Sequence, residues 1–262
     1  MEKQFTCKFC GGKRFWKVRR HSLKCQQCRR ETTKHLGNIH LTRRRWRQII
    51  HWFVLEQSTN RIQEQTNVSK YHILKVLLIL RQKMLKDVPE VFSGIVEVDE
   101  TYLGGQMKNR RKKVKLMLGK NRRGFGTIKQ PVFGILCRKG KVYAEIVPGI
   151  EAKDLQPLIE RQVKKGSTVC SDTWRGYTGL AAKGYVHRLV KHNENQYTDN
   201  QGHHINGLEG FWGYLKRKLA AKGGIRKSRL HLYLGEYVWR YNYRHLSVKE
   251  QANRLINLVE NI

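Results

Sequence analysis

An apolar segment that carries several carboxylates is the strongest constraint on how this chain can fold. The sequence FSGIVEVDETYLGG, residues 92 to 105, predicts a buried strand with Asp99 at its C-terminal end, next to a Gly-Gly turn. A buried carboxylate costs free energy unless the group is bonded or used. Glu97 shares the strand face of Asp99, whereas Glu100 points to the other face. We expect Asp99 to be a functional acid, with Glu97 as its rival and a purely structural Asp99 as the alternative.

The order of the elements after this strand reduces the number of folds that the chain can adopt. Residues 130 to 137 and 141 to 148 predict a strand hairpin, which is followed by a helix, a short strand that ends at Asp172, and a further strand. Three hairpin-linked strands followed by alternating helices and strands give the order of an α/β, RNase H-like mixed sheet flanked by helices. The first and fourth strands are neighbours in that order, so we expect Asp99 and Asp172 to converge.

A helix predicted within HHINGLEGFWGYLKRK, residues 203 to 218, supplies a third carboxylate. Glu209 and Lys216 are seven residues apart, two turns at about 3.6 residues per turn, so they share one face. The aromatic residues of the segment would pack a different face onto a core. An acid and a base on one face of a docked helix suit a site that holds a metal and a phosphate. An ordinary amphipathic helix is the alternative.

The charge of the chain predicts its partner. Its 262 residues include 53 Lys and Arg against 20 Asp and Glu, a formal net charge of +33, while 39% are hydrophobic, enough for a sizeable core. Nucleic-acid phosphates favour such a surface through counterion release. A membrane surface is the alternative, but no apolar run approaches the roughly 18 residues of a spanning helix. The charged N-terminal segment is unlike a signal peptide, which favours reduced cysteines and a cytoplasmic protein.

Four of the six cysteines form two CxxC pairs with fourteen residues between them: Cys7, Cys10, Cys25 and Cys28. This spacing is typical of a structural zinc site on two knuckles. A segment this small cannot build a core, so the metal would have to supply the folding free energy. Two disulfides or a redox CxxC are the alternatives. We predict a zinc ribbon over residues 1 to 35.

Residues 36 to 88 predict a helical DNA-binding domain, which precedes an RNase H-like catalytic domain over residues 89 to 262. Two helices joined by a short turn resemble a helix-turn-helix. The second of these helices would then face DNA with the side chains of Lys70, His72 and Lys75. A plain helical linker that packs on the next domain is the alternative.

A strongly basic run is predicted to contact the DNA backbone. Nine of the sixteen residues at positions 108 to 123 are Lys or Arg. Such a run is usually a solvated loop, but beside a phosphate-handling site it can order on binding DNA. The residues that we expect at the backbone are Arg111, Lys112 and Lys113.

Several ordered segments of the chain resemble the blocks of DDE transposases of bacterial insertion sequences. The segments are VEVDETYLGG, PVFGILCRKGKVYAEIVP, SDTWRGY and HINGLEGFWGYLKRKL. The similar subgroup has an N-terminal zinc ribbon and an ISXO-type transposase domain, and its eukaryotic cousins are the Merlin elements. The resemblance covers residues 90 to 245 closely and the cysteine ribbon more loosely.

This resemblance implies an RNase H-like catalytic domain that uses two divalent cations per active site, normally Mg²⁺ and alternatively Mn²⁺. The implied catalytic acids, which would hold these cations, are Asp99, Asp172 and Glu209. Some relatives have Asn as the third residue, so Asn206, three positions before Glu209, is the alternative to it. Many such enzymes keep a basic residue where Lys216 lies, and we expect Lys216 and the adjacent Arg217 at DNA.

The function that the resemblance implies is transposition. The enzyme would bind the terminal inverted repeats of its element, cleave there and join the 3′ ends to target DNA. Because two ends must be brought together, we expect at least a homodimer on DNA. An RNase H-like nuclease without strand transfer and a catalytically idle DNA-binding regulator derived from a transposase are the alternatives. The expected location is the bacterial cytoplasm at the nucleoid, or the nucleus for a eukaryotic relative.

Overall fold

The computed structural model describes residues 6–7, 9–19, 22–33, 36, 39–105, 112, 129–138, 140–190 and 205–260. The chain divides into two units, Met1–Lys83 with Leu246–Ile262, and Met84–His245. No helix among the described residues is long and apolar enough to cross a membrane.

The first unit contains a small sheet and a set of helices. Strands β1, β2 and β3 form an antiparallel sheet in that order, and they span Phe15–Arg19, Ser22–Cys25 and Glu31–Thr33. Helices α1, α2 and α3 follow at Arg43–Val54, Thr59–Thr66 and Lys70–Lys86, and the unit ends with α7 at Val248–Glu260.

Local signals set the boundaries of these helices. The side chains of Thr42 and Ser58 accept hydrogen bonds from backbone N–H groups in the first turns of α1 and α2 and so cap them. Asn67 has a φ of 50° and ends α2 in the left-handed conformation. The chain then turns directly into α3, which gives the two-helix arrangement with a short turn that the sequence predicts.

The last helix belongs to the first unit, whereas the domain boundaries predicted from the sequence place residues 246 to 262 in the catalytic domain. Helix α7 contacts α1, and Arg43 of α1 forms an ion pair with Glu260 of α7. Leu255, Ile256 and Val259 form a buried stripe along α7. Burial of this stripe beside α1 explains why the end of the chain belongs to the first unit.

The second unit is built on a five-stranded mixed sheet in the order β6-β5-β4-β7-β8. The strands are β4 (Ile95–Leu103), β5 (Gln130–Cys137), β6 (Val142–Ile146), β7 (Thr168–Ser171) and β8 (Val186–Leu189). Strands β4, β5 and β6 pair antiparallel, whereas β7 pairs parallel with β4 and with β8. This topology confirms the predicted α/β, RNase H-like fold, in which the first and fourth strands of the sheet are neighbours.

Helices cover both faces of this sheet. Helix α4 (Ala152–Gln162) packs its apolar stripe into one core together with Val96 and Val98 of β4. Helices α5 (Asn206–Ala220) and α6 (Leu230–Asn242) pack on the other face, where Trp212 and Tyr237 join a second core. Because side chains alternate along a strand, β4 presents Val96 and Val98 to the first core and its acids at positions 97 and 99 to α5.

One side chain of α6 satisfies backbone hydrogen-bonding groups on the outer side of the edge strand β6. The Asn242 Nδ2 group donates to the Val142 carbonyl at 2.8 Å, and the Asn242 Oδ1 atom accepts the Val142 N–H at 2.7 Å. All of these groups are buried, so the amide of Asn242 replaces the strand that β6 lacks on its outer side.

Removing that amide is expected to be costly. We predict that Asn242→Ala lowers the free energy of unfolding by about 2–4 kcal/mol, because a backbone donor and an acceptor remain buried and unsatisfied. Urea unfolding measures the change. Asn253→Ala, at an exposed position of α7, is the control and should stay within about 0.5 kcal/mol. Equal effects of the two substitutions would contradict this role of Asn242.

Candidate active site and metal centre

Asp99 lies within strand β4, and Asp172 directly follows the last residue of the neighbouring strand β7. The parallel pairing of β4 and β7 matches Glu97 with Cys170, so Asp99 and Asp172 each lie two residues further along. Neighbouring strands are about 4.8 Å apart. The expected convergence of Asp99 and Asp172 is therefore present. Asp99 is not at the end of its strand as expected, however, because pairing with β5 continues β4 to Leu103.

Each aspartate is held by a specific hydrogen bond. The Trp212 Nε1–H group of α5 donates to Asp99 Oδ2 at 2.9 Å. The backbone N–H of Trp174 donates to Asp172 Oδ1 at 2.9 Å, and the indole of Trp174 is anchored on the Ile150 carbonyl. Both carboxylates are half-buried. Asp99 is thus held by helix α5, whereas Asp172 is held by the turn that directly follows it.

Helix α5 brings the other predicted residues to the same place. Glu209 lies in its first turn and is exposed, and the charge of Glu209 acts on Asp99. Lys216 lies two turns further, where partial burial of its otherwise exposed side chain lowers its pKa and Asp99 opposes that effect. Asn206 is the first residue of the helix and is exposed. The helix therefore places an acid and a base near Asp99, as the sequence predicts.

Negative charge accumulates at this site. Burial, followed by the charges of Asp172 and Glu209, raises the pKa of Asp99 to about 6. Carboxylate oxygens are the ligands that Mg²⁺ prefers, and a cation would relieve this repulsion, so the donor set fits such an ion chemically. The spacing is wider than in a closed metal site: among the described residues, only the four N-terminal cysteines have donor atoms grouped closely enough to hold a metal.

Glu97, the rival of Asp99 in the sequence analysis, has a structural role here. It is buried, and its Oε2 atom accepts the backbone N–H of Leu208 at 2.9 Å. A Cβ atom at Gly207 would lie 2.9 Å from the same oxygen, so this close approach requires glycine. Glu97 thus anchors the first turn of α5, which carries Glu209. The signal for this role was the glycine within the helix.

Glu100 is a functional candidate that the sequence analysis did not select. It points to the opposite face of β4, where it accepts a hydrogen bond from the hydroxyl of the buried Tyr177 at 2.5 Å. Burial, opposed by that bond and reinforced by the charges of Asp99 and Asp172, raises the pKa of Glu100 to about 7. Strand alternation places Glu100 on the face opposite Asp99, so the sequence pattern did not indicate a shared site. The charge of Glu100 nevertheless interacts with the charges of Asp99 and Asp172.

The four N-terminal cysteines form a separate cluster that could hold a metal ion. Their Sγ atoms all lie within 4.8 Å of one another, with 3.5 Å between Cys7 and Cys28 and between Cys10 and Cys25. Zn–S bonds of about 2.3 Å in a tetrahedron require sulfur separations of roughly 3.8 Å. The cluster therefore fits a structural zinc ion and confirms the predicted zinc ribbon.

The predicted DNA-contacting residues lie in both units. On α3, the Lys70 Nζ atom contacts Asn60 Oδ1, the His72 ring contacts Ser69 Oγ, and Lys75 lies over the Tyr71 ring. On α5, Lys216 and Arg217 are exposed. In the basic run, Lys112 is exposed, whereas Arg111 and Lys113 lie outside the described residues.

The cysteine cluster leads to a prediction about metal content. We expect about one zinc ion per chain in protein purified under reducing conditions, as measured by elemental analysis. Cys25→Ser should lose this zinc and unfold the ribbon, while Cys170→Ser, at a buried cysteine outside the cluster, should retain it. Wild-type protein that contains no zinc would contradict the assignment.

The raised pKa of Asp99 leads to a prediction about stability and pH. The pKa is about 6 in the folded protein against an ordinary 3.8, so the folded state binds a proton more tightly and loses stability as the pH rises between these values. We predict that Asp99→Asn raises the free energy of unfolding by about 1–3 kcal/mol at pH 7.5 without added Mg²⁺. That gain should shrink as the pH approaches 4.

Urea unfolding at several pH values measures this gain. Asp154→Asn, in the first turn of α4, is the control and should show no such gain. A gain for Asp99→Asn that is absent, or that does not depend on pH, would show that Asp99 carries no unrelieved charge.

Comparisons with known proteins show the family to which the chain belongs. A curated protein of Haemophilus influenzae described as an uncharacterized transposase-like protein is 36% identical over 122 residues, which are 47% of this chain and 96% of that protein. A simian T-cell lymphotropic virus intasome in complex with PP2A regulatory subunit B56 gamma is 12% identical, with a TM-score of 0.35 over 77% of this chain and 69% of that chain.

A pre-cleavage Mos1 transpososome is also 12% identical, with a TM-score of 0.25 over 80% of this chain and 77% of that chain. Both TM-scores are low, so these two structures support no conclusion about this chain. The family match is direct, because residues 91–242 match the ISXO2-like transposase domain, and this segment contains the sheet, both aspartates and α5. The chain therefore belongs to the ISXO2-like transposase family.

Proposed function

We propose that the chain is a DDE transposase, which cleaves DNA at the ends of its element and joins the 3′ ends to target DNA. One observation carries this proposal: Asp99 in β4 and Asp172, which directly follows the neighbouring strand β7, lie at matching positions, and the charge of Glu209 on α5 acts on Asp99. In two-metal phosphodiester chemistry, carboxylates hold the cations against the phosphate.

Asp99, Asp172 and Glu209 are the residues proposed to hold two Mg²⁺ ions, or Mn²⁺ in their place. When bound, such ions lower the pKa of an attacking hydroxyl and stabilise the leaving oxygen. The chain's own residues supply the positioning. Glu97 fixes the start of α5 and thereby aims Glu209, while the backbone N–H of Trp174 orients Asp172.

Basic side chains are proposed to bind the DNA. Lys216 lies on the same helix as Glu209 and interacts with Asp99, which suits it to hold a phosphate at the site, and Arg217 continues that surface. The net charge of +33 favours binding to any DNA sequence. Arg111, Lys112 and Lys113 are proposed to contact the DNA backbone.

Recognition of the element ends is proposed to lie in the first unit. Helices α2 and α3 with the turn at Asn67 have the arrangement of a helix-turn-helix, and Lys70, His72 and Lys75 lie in the first turns of the second helix. The zinc ribbon would add a further contact to DNA. Two chains would be needed to hold two ends, so we propose at least a homodimer acting on the DNA of its host, at the bacterial nucleoid or in a nucleus.

The identity of the third acid provides the sharpest prediction for this function. We predict that Glu209→Gln abolishes both cleavage and joining, because an amide offers only a dipole where a carboxylate offsets the charge of two cations. Asn206→Ala, one turn earlier on the same helix, should leave measurable chemistry. Neither residue is buried, so the stability of the fold should change little.

The measurement is Mg²⁺-dependent cleavage and joining of labelled element-end DNA, beside a gel shift that reports binding. Wild-type protein that joins ends is a transposase, one that only cuts is a nuclease, and one that only binds is a regulator. If Glu209→Gln cuts DNA normally and Asn206→Ala is inactive, the third metal ligand is Asn206 and not Glu209.

A further inference from the structure

The tryptophan at position 212 contacts the proposed catalytic acid directly. Its side chain is buried, and its Nε1–H group donates to Asp99 Oδ2 at 2.9 Å. Trp212 lies one turn after Glu209 on α5, so a single helix carries both an acid of the proposed site and the donor to another acid. A hydrogen bond to an ionised carboxylate is short and strong because the acceptor is charged.

The strand beneath Trp212 is shaped to admit its indole ring. Gly134 of β5 is the residue paired with Asp99 across the sheet. A Cβ atom at Gly134 would lie 2.6 Å from Cζ2 and 2.7 Å from Cη2 of Trp212, a separation that atoms cannot adopt. Gly134 is therefore needed for close approach: any side chain there would push the indole ring away from Asp99.

The position of this hydrogen bond distinguishes it from ordinary core packing. Asp99 is repelled by the charges of Asp172 and Glu209. A side chain in that field would rotate away from its neighbours unless something held it. The indole N–H holds one oxygen of Asp99, and it does so from the helix that also carries Glu209.

We propose that Trp212 is a positioning residue, which holds the carboxylate of Asp99 in the orientation that receives a divalent cation. Gly134, which has no side chain, leaves the space that the indole ring occupies. This inference rests on the proposed function of Asp99. Trp212 itself does not touch DNA or cation in this account. Its effect is to arrange the acids before a cation arrives, so its loss should weaken cation binding.

The test is the affinity of DNA-free protein for Mg²⁺, measured by calorimetry on Trp212→Phe. Phenylalanine keeps an aromatic ring in the core but lacks the N–H donor. We expect the dissociation constant for Mg²⁺ to rise about tenfold or more, the usual effect of losing a group that orients a metal ligand. The Mg²⁺ concentration needed for half-maximal cleavage should rise in parallel, with most of the rate recovered at saturating Mg²⁺.

Trp239→Phe is the matched control. Trp239 is also buried, lies in the same unit, and donates its Nε1–H to a carboxylate, Asp87 Oδ2, at 2.8 Å. It should lose a similar hydrogen bond and similar packing without any change in Mg²⁺ affinity. Equal affinities of Trp212→Phe and wild type, or equal losses in both tryptophan variants, would overturn the inference.

Two further measurements keep the inference testable if Trp212→Phe does not fold. Gly134→Ala should weaken Mg²⁺ binding in the same direction, because the added methyl group displaces the indole ring. In wild-type protein, the NMR signal of the Trp212 indole N–H should move when Mg²⁺ is added, while that of Trp239 stays in place. A Trp212 signal that does not respond to a bound cation would overturn the inference.

Asp99→Asn separates this inference from the proposed function. If wild type binds Mg²⁺ and Asp99→Asn does not, the proposed site stands, and the result for Trp212→Phe decides the positioning role alone. If wild type and Asp99→Asn bind Mg²⁺ equally weakly, the proposed function and the inference both fail.

Discussion

The docking of helix α5 on strand β4 is the interaction on which the candidate site depends. Two acids on one face of β4, Glu97 and Asp99, each accept a hydrogen bond from α5, from the Leu208 backbone and from the Trp212 indole. The two acceptors are two residues apart on a strand and the two donors four residues apart on a helix, spacings of about 6–7 Å in either element. This match sets the helix in one register, and Glu209 takes its position from that register.

This docking gathers negative charge around Asp99. Glu97 accepts a hydrogen bond from the helix and forms an ion pair with Arg138, whereas the pKa values of Asp99 and Glu100 are raised to about 6 and about 7. Such a concentration of acid destabilises the folded chain at neutral pH. Divalent cations, which the proposed function requires at this place, would offset this charge.

Much of this arrangement could be predicted from the sequence, because its signals are local. Alternation and helical spacing predict the strand order, and the cysteine spacing predicts the metal centre. The missed features are contacts between distant segments: the bond from Tyr177 to Glu100, the bond from Trp212 to Asp99, and the place of α7 beside α1. No periodicity encodes such contacts, although the glycines at positions 134 and 207 mark the points of close approach.

The central claim is that α5 and the paired strands form one cation site. Anomalous X-ray scattering from crystals grown with Mn²⁺ tests it most directly, because this ion substitutes for Mg²⁺ and its position can be seen without reference to activity. The account predicts Mn²⁺ peaks at coordination distance, about 2.2 Å, from carboxylate oxygens of Asp99, Asp172 and Glu209. Mn²⁺ bound elsewhere, with these three side chains free of it at saturating concentration, would contradict the account.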